Sequence, residues 1–215
     1  MHTIDLTGWP RRRHFELYRN FAQPHFGLCA PVDLSSFRPA VQARGLSFTV
    51  ALVYVLARAA NELAPFRWRI RGDQVVEHKR VQPSFTVLTD EELFSFCTVP
   101  YSPEFETFAA AATAQIAHVR AHPTLEDEPG QDDLLFMSAM PWVSFTSVMH
   151  PQPTPAADSV PRIAWGKFGP DGRRLTMPLA VQAHHALMDG LHAAQYYQRV
   201  QAYLDRPAEA LGTAA

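Results

Sequence analysis

The stretch with the clearest chemical potential is His184-His185-Ala186-Leu187-Met188-Asp189-Gly190. Two adjacent histidines close an apolar run, and an Asp-Gly pair follows. Imidazole has an ordinary pKa near ~6.5, so its neutral, proton-accepting form is abundant at pH 7. A well-placed general base of this kind contributes ~10²–10⁴-fold to a rate. Neighbours on a strand point to opposite faces, so the two histidines cannot both serve one site. Spacing alone does not say which of them does. Asp189 opens a helical stretch, where a carboxylate favours the helix N-terminus or pairs with an arginine. His185, Asp189 and His192 also raise the question of a metal. A convincing third ligand is not evident at local spacing, so the expectation is that no metal is bound.

The elements around this string must present it. RLTMPLAVQAHH (174–185) and RIAWGKFG (162–169) read as two strands around a turn at Gly172. Asp189 to Leu204 reads as an amphipathic helix with Leu191, Ala194, Tyr197, Val200 and Leu204 on one face. Upstream, residues 12–22 read as a helix and 26–34 as a strand, with a short helix ending near Gly45. Residues 47–63 predict a largely buried helix capped by Ser47. Strand-like runs follow at 67–72, 74–80, 84–89 and 93–99, the first two joined by a Gly72-Asp73 hairpin turn. Residues 103–121 return to helical spacing, and 122–133 form an acidic surface loop. LLFMSAMPWVSFTSV (134–148) reads as a strand around a proline, and 150–161, with four prolines, as a loop or edge segment. Strands cluster and helices segregate. This predicts an α+β two-layer sandwich with helices on one face of a mostly antiparallel sheet. The reading is one domain over 1–215, with about 206–215 as a flexible tail.

Composition excludes several classes. The chain has 215 residues, 47% hydrophobic and 19% charged, enough for a full core without disulfides or metal. The net charge of −2 carries no basic footprint for nucleic acid. Arg11-Arg12-Arg13 is too short a cluster to supply one. The cysteines, Cys29 and Cys97, fit neither a disulfide framework nor a zinc spacing. They are expected to be core thiols in a reducing compartment. The expected setting is cytoplasmic, because no apolar leader is apparent and no stretch approaches the ~20 apolar residues of a membrane span.

HHALMDG followed by LHAAQYYQRVQAYL resembles the signature of the chloramphenicol acetyltransferase family. WPRRRHFELYR (9–19), SAMPWVSFTS (138–147) and GKFGPDGRRLTMPLAVQAHH (166–185) resemble further segments of that family, so the likeness spans nearly the whole chain. The resemblance implies acetyl transfer from acetyl-CoA, a co-substrate, to a small-molecule hydroxyl through a ternary complex. It selects His185 as general base and leaves His184 a support residue. It implies that Ser138 stabilises the oxyanion, and that Asp189 and Arg11 form a pair holding the turn. Tyr18, Phe26, Phe136 and His150 would line the acceptor pocket, and Trp142, Lys167 and Phe168 the coenzyme A channel. It further implies a homotrimer with sites between subunits, so that Tyr18 and Phe26 would face His185 of a neighbour.

Three departures from the family pattern bear on the acceptor. Ala164 stands where the family has a threonine that helps hold a water. Phe136 stands where it has an asparagine. The segment after Ser147 is proline-rich. Acetylation of chloramphenicol, giving antibiotic resistance, is the leading expectation. A different alcohol or amine acceptor, or a non-catalytic ligand-binding protein on the same scaffold, are the alternatives.

Overall fold

The computed structural model describes residues 1–90, 92–126, 128–152 and 158–212. In chain order its elements are β1 (His2–Thr3), α1 (Arg12–Tyr18), β2 (His25–Asp33), α2 (Phe37–Ala43), α3 (Phe48–Asn61), α4 (Ala64–Arg67), β3 (Trp68–Arg71) and β4 (Gln74–Glu77). They continue as β5 (Gln82–Leu88), β6 (Phe94–Thr98), α5 (Phe105–Ala121), β7 (Leu134–Met140), β8 (Arg162–Gly166), β9 (Gly169–Asp171), β10 (Arg174–His184), α6 (Gly190–Asp205) and α7 (Pro207–Leu211).

Alternating residues assemble the main sheet in the order β2-β10-β8-β7-β5-β6, with β9 beside β10. The pairings β2–β10, β10–β8, β10–β9 and β5–β6 are antiparallel, whereas β7 runs parallel to both β5 and β8. One face is apolar: Phe85, Met137, Ile163, Leu179, Val181 and Ala183 join the core with residues of α3, α5 and α6. This is the expected α+β sandwich, with helices packed on one face. The α3 helix is its central pillar. Ser47 Oγ accepts the Val50 N–H at 3.4 Å, and ten of the helix's fourteen residues are buried.

The opposite face of the sheet is more polar. Cross-strand register aligns Thr98, Ser84, Phe136, Arg162, Gln182 and Gly27 in one row. Ser138, Ala164, Ala180 and Cys29 share the next row. The sheet also opens. The β5–β7 pairing ends at Phe85 and Met137, while β5 continues beside β6 to Leu88 and β7 beside β8 to Met140. A cavity of about 1150 Å³ occupies this parting, lined by Thr86 to Leu88, Ser138 to Trp142 and one side of α5.

A second, smaller core lies under the HHALMDG turn. The sheet β1-β4-β3 and α1 bring Phe15, Val75, Trp9, Trp68 and Ile70 against Ala186 and Leu187. The N-terminal segment therefore clamps the turn from outside the main sheet.

Three expectations are corrected. The strand from 134 ends at Met140, because Pro141 cannot donate to a ladder and a turn follows. On α6 the buried stripe is Ala193, Tyr196, Val200 and Leu204, and Leu191 is 65% exposed. Residues 207–211 are not a tail: Pro207 starts α7, which buries Ala210 and Leu211 against the core. Residues 213–215 and the centre of the proline-rich loop, 153–157, lie outside the described residues.

Candidate active site

The β10 strand ends at His184, and the chain turns through His185–Met188 into α6. The His185 N–H donates to Pro24 O at 2.8 Å, prolonging the ladder by one bond. His185 Nδ1 lies 3.0 Å from Met188 O. A carbonyl oxygen only accepts, so Nδ1 carries the hydrogen, and in the neutral ring Nε2 keeps its lone pair. Tyr18 stacks on the ring at 4.2 Å and 20°, and Phe26 leans on it at 5.0 Å. A bare imidazole nitrogen on an aromatic-walled ring is the arrangement a general base requires.

The two histidines differ as strand alternation requires. His184 is 2% exposed, and its Nδ1 accepts the Ala186 N–H at 3.2 Å. The same ring meets His25 edge-on at 5.0 Å. It supports the turn from within.

Arg11 holds the turn from the other side. Its Nε donates to Ala186 O at 3.1 Å, its Nη1 to Asp189 Oδ2 at 2.7 Å and its Nη2 to His185 O at 2.8 Å. One planar fork thus binds two carbonyls and a carboxylate, which an ammonium cannot reproduce. Asp189 also caps α6, accepting the Leu191 N–H at 3.1 Å, while His192 Nδ1 accepts the Asp189 N–H at 3.2 Å. Burial pushes the Asp189 carboxyl up. The Arg11 bond and the neighbouring His192 and Arg11 charges outweigh it and hold the pKa at about 2. Burial lowers the pKa of His192, with Arg11 adding to the fall and Asp189 opposing it.

Ser138 lies elsewhere. It lines the cavity in the parted sheet together with Phe136, Trp142 and His150. Arg162 sits over the Phe136 ring at 5.3 Å and is bonded to Asp158. His150 is fixed through its backbone N–H, which donates to Gln182 Oε1 at 2.8 Å. Its Nε2 is buried without a partner among the described residues. Burial, reinforced by Arg162, lowers its pKa. His185 is not on the lining of this cavity.

Register gives the separation. Ser138 shares a rung with Ala164, and Ala164 with Ala180, from which His185 lies five residues further along the chain. At ~3.3 Å per residue and ~4.8 Å per strand, the two α-carbons are roughly 19 Å apart. That exceeds the joint reach of a histidine and a serine around one reacting carbonyl.

The residues expected at the site therefore fall into two groups within one chain. His185, Tyr18, Phe26, Arg11 and Asp189 form one; Ser138, Phe136, His150 and Trp142 form the other. Tyr18 and Phe26 both contact His185 of their own chain, Tyr18 from α1, which Arg11 docks onto the turn, and Phe26 from β2. Lys167 is exposed, and its N–H donates to Val143 O at 2.8 Å. Phe168 packs on Phe48 at 5.5 Å, with Arg38 over its ring, and is not on the cavity wall. Cys97 is buried, its thiol pushed up to about 12 by burial, whereas Cys29 is only half-buried.

Two cavity residues escaped the sequence reading. Arg162 is a charged residue at the head of an otherwise apolar strand, which was a usable signal. Thr86 alternates with Ser84 on the polar side of SFTVLT and places its Oγ1 3.4 Å from Ser138 Oγ.

Fold and turn together define an α+β sandwich with a histidine-bearing turn at the end of a central strand. The same fold is found, at a TM-score of 0.67 and 20% identity over 87% of this chain and 84% of that one, in the cubic core of the pyruvate dehydrogenase multienzyme complex. Residues 1–201 match the family model for chloramphenicol acetyltransferase, and the chain belongs to that enzyme family. It is 31% identical over 200 residues to chloramphenicol acetyltransferase 3 of Escherichia coli, covering 92% of this chain and 94% of that protein. It is 32% identical over 205 residues to chloramphenicol acetyltransferase 2 of the same organism, covering 94% and 96%. A solved chloramphenicol acetyltransferase superposes with a TM-score of 0.82 at 28% identity, over 94% of this chain and 98% of that one.

Proposed function

We propose that this chain transfers an acetyl group from acetyl-CoA to a hydroxyl of chloramphenicol, with His185 as general base. The observation that carries this reading is the His185 turn: Nδ1 bonded to Met188 O, which leaves Nε2 as the basic nitrogen of the neutral ring, and the ring held by Tyr18 and the Arg11 fork. In the proposed reaction Nε2 takes the proton of the acceptor hydroxyl as its oxygen attacks the thioester carbonyl. The Ser138 O–H then donates to the tetrahedral oxyanion. Collapse expels the coenzyme A sulfur, which leaves as the thiol after taking the proton back from the imidazolium. No acyl-enzyme forms.

His185 and Ser138 cannot meet one acetyl group within a single chain. Their separation supports a homotrimer in which His185 of one subunit faces Ser138 of the next, so that the two groups of residues form one site. Phe136 and His150 then supply the acceptor wall, opposite Tyr18 and Phe26. Trp142 is 68% exposed on the cavity that Ser138 lines, and the exposed Lys167 is tied through its backbone N–H to Val143, the residue after Trp142, positions suited to adenine and phosphate of the co-substrate. We assign the chain a single acyltransferase domain and a cytoplasmic setting. No described helix is long and apolar enough to cross a membrane.

The test is thiol release from acetyl-CoA by the purified protein, with chloramphenicol beside a panel of other alcohols and amines. Saturable release with chloramphenicol supports the proposal. Release only with another acceptor moves the activity to that compound. Ligand binding without thioester cleavage across the panel makes the protein a binder.

A further inference from the structure

Ser138 sits where β5 and β7 part. Its rung neighbour on the β8 side is Ala164, which offers only a methyl group. On the β5 side, Thr86 Oγ1 lies 3.4 Å from Ser138 Oγ and also lines the cavity. Among the described residues no other side-chain bond is made by the Ser138 hydroxyl.

A serine hydroxyl has one hydrogen and a free rotor. To stabilise an oxyanion it must aim that hydrogen at the place where charge develops, not back into the protein. A second hydroxyl that donates to Oγ fixes the rotor and leaves the hydrogen for the substrate. It also polarises the serine O–H and makes it a better donor. Threonine suits this task, because β-branching restricts its χ1. The 3.4 Å contact is longer than the common 2.7–2.8 Å for O–H···O, and such bonds tighten when the reacting group arrives.

We propose that Thr86 is a positioning residue for the reaction. Its hydroxyl donates to Ser138 Oγ and directs the serine hydrogen toward the oxyanion. This rests on the reading of Ser138 as the oxyanion donor. The role belongs to the parted sheet: Thr86 reaches Ser138 from the strand that separates from β7, on the wall of the cavity that both residues line.

The experiment is steady-state kinetics of the full chain with acetyl-CoA and chloramphenicol for wild type, Thr86→Val, Thr86→Ser, Ser138→Ala and the Thr86→Val/Ser138→Ala double variant. Thr86→Val preserves shape and removes the hydroxyl, and is expected to lower kcat roughly 3–10-fold. Both KM values should stay within about twofold, because the loss is confined to the transition state. Thr86→Ser should restore most of kcat. The double variant should be no slower than Ser138→Ala alone, since Thr86 acts only through that oxygen. An effect confined to KM, or one that adds to Ser138→Ala, overturns the positioning role and leaves Thr86 a wall residue. An unchanged Thr86→Val beside a crippled Ser138→Ala overturns Thr86 alone. Full turnover by Ser138→Ala overturns the Ser138 reading and this proposal with it, as does a wild-type chain that cleaves the thioester with no acceptor of the panel.

Discussion

Arg11 and Asp189, 178 positions apart in sequence, meet at 2.7 Å through Nη1 and Oδ2. The same guanidinium binds the carbonyls of His185 and Ala186. The pair therefore does more than neutralise two charges. It ties the first helix to the histidine turn and fixes the backbone from which the His185 ring projects. Arg11→Ala is expected to cost about 2–4 kcal/mol, toward the lower side of a fully buried pair because Asp189 keeps contact with water. Arg11→Lys should rescue little of this, since one ammonium cannot serve three acceptors in a plane. Urea denaturation of both variants checks it; a lysine variant of wild-type stability would contradict the fork's role.

The proposed division of the site between two chains makes a complementation prediction. His185→Ala and Ser138→Ala chains, each inactive alone, should regain activity when co-refolded into mixed oligomers, because some sites then combine an intact His185 with an intact Ser138. Activity that stays at the level of the separate variants would place both residues in one chain's site, against the register separation.

Acid sensitivity follows from two sets of groups. Burial lowers the pKa values of His25, His150 and His192 below the ordinary 6.5. The unfolded chain then binds protons that the folded chain refuses, so stability is full above pH 6.5 and declines as pH falls below it. Asp189, held at about 2 against an ordinary 3.8, has the same sign. Its contribution is present above pH 3.8 and is lost as pH falls toward 2. Denaturation midpoints measured from pH 8 to pH 3 should drop in two stages. Midpoints that rise from pH 7 to pH 5 would contradict this assignment.

Gly166 has no room for a side chain. A Cβ there would lie 2.7 Å from Pro178 Cγ, 2.8 Å from Val143 O and 2.9 Å from Phe145 Cε1. The turn after Ser138 is thereby pressed onto the end of β8. Gly166→Ala should destabilise the protein by about 1–3 kcal/mol, as overpacking does, and disturb the cavity beside Trp142. Thermal unfolding compared with wild type checks it, and an unchanged melting temperature would show that the turn yields freely.

Much of this arrangement was legible in the sequence. HHALMDG marks its own turn because apolar alternation stops at His184 and an Asp cap begins α6. The sheet class followed from clustered strands, and Ser47 and Gly72-Asp73 announced a cap and a hairpin. Other features depend on tertiary packing and leave little local trace. The phase of the α6 stripe is not legible locally, because Leu191 has the character of a core residue and is nonetheless exposed, while Tyr196 is buried. Leu211 looks like tail sequence until α3 and α5 supply a surface for α7. The contact of Tyr18 with its own chain's His185 depends on Arg11 reaching 178 positions ahead, and no spacing rule encodes it. The Thr86–Ser138 contact arises only where two parallel strands part.

The most direct measurement is chloramphenicol-dependent thiol release from acetyl-CoA by His185→Ala, with oligomer size and far-ultraviolet circular dichroism recorded alongside. Loss of a general base should lower kcat by about 10²–10⁴-fold while assembly and secondary structure stay as in the wild type. Turnover at the wild-type rate by a folded, assembled His185→Ala protein would contradict the role of His185.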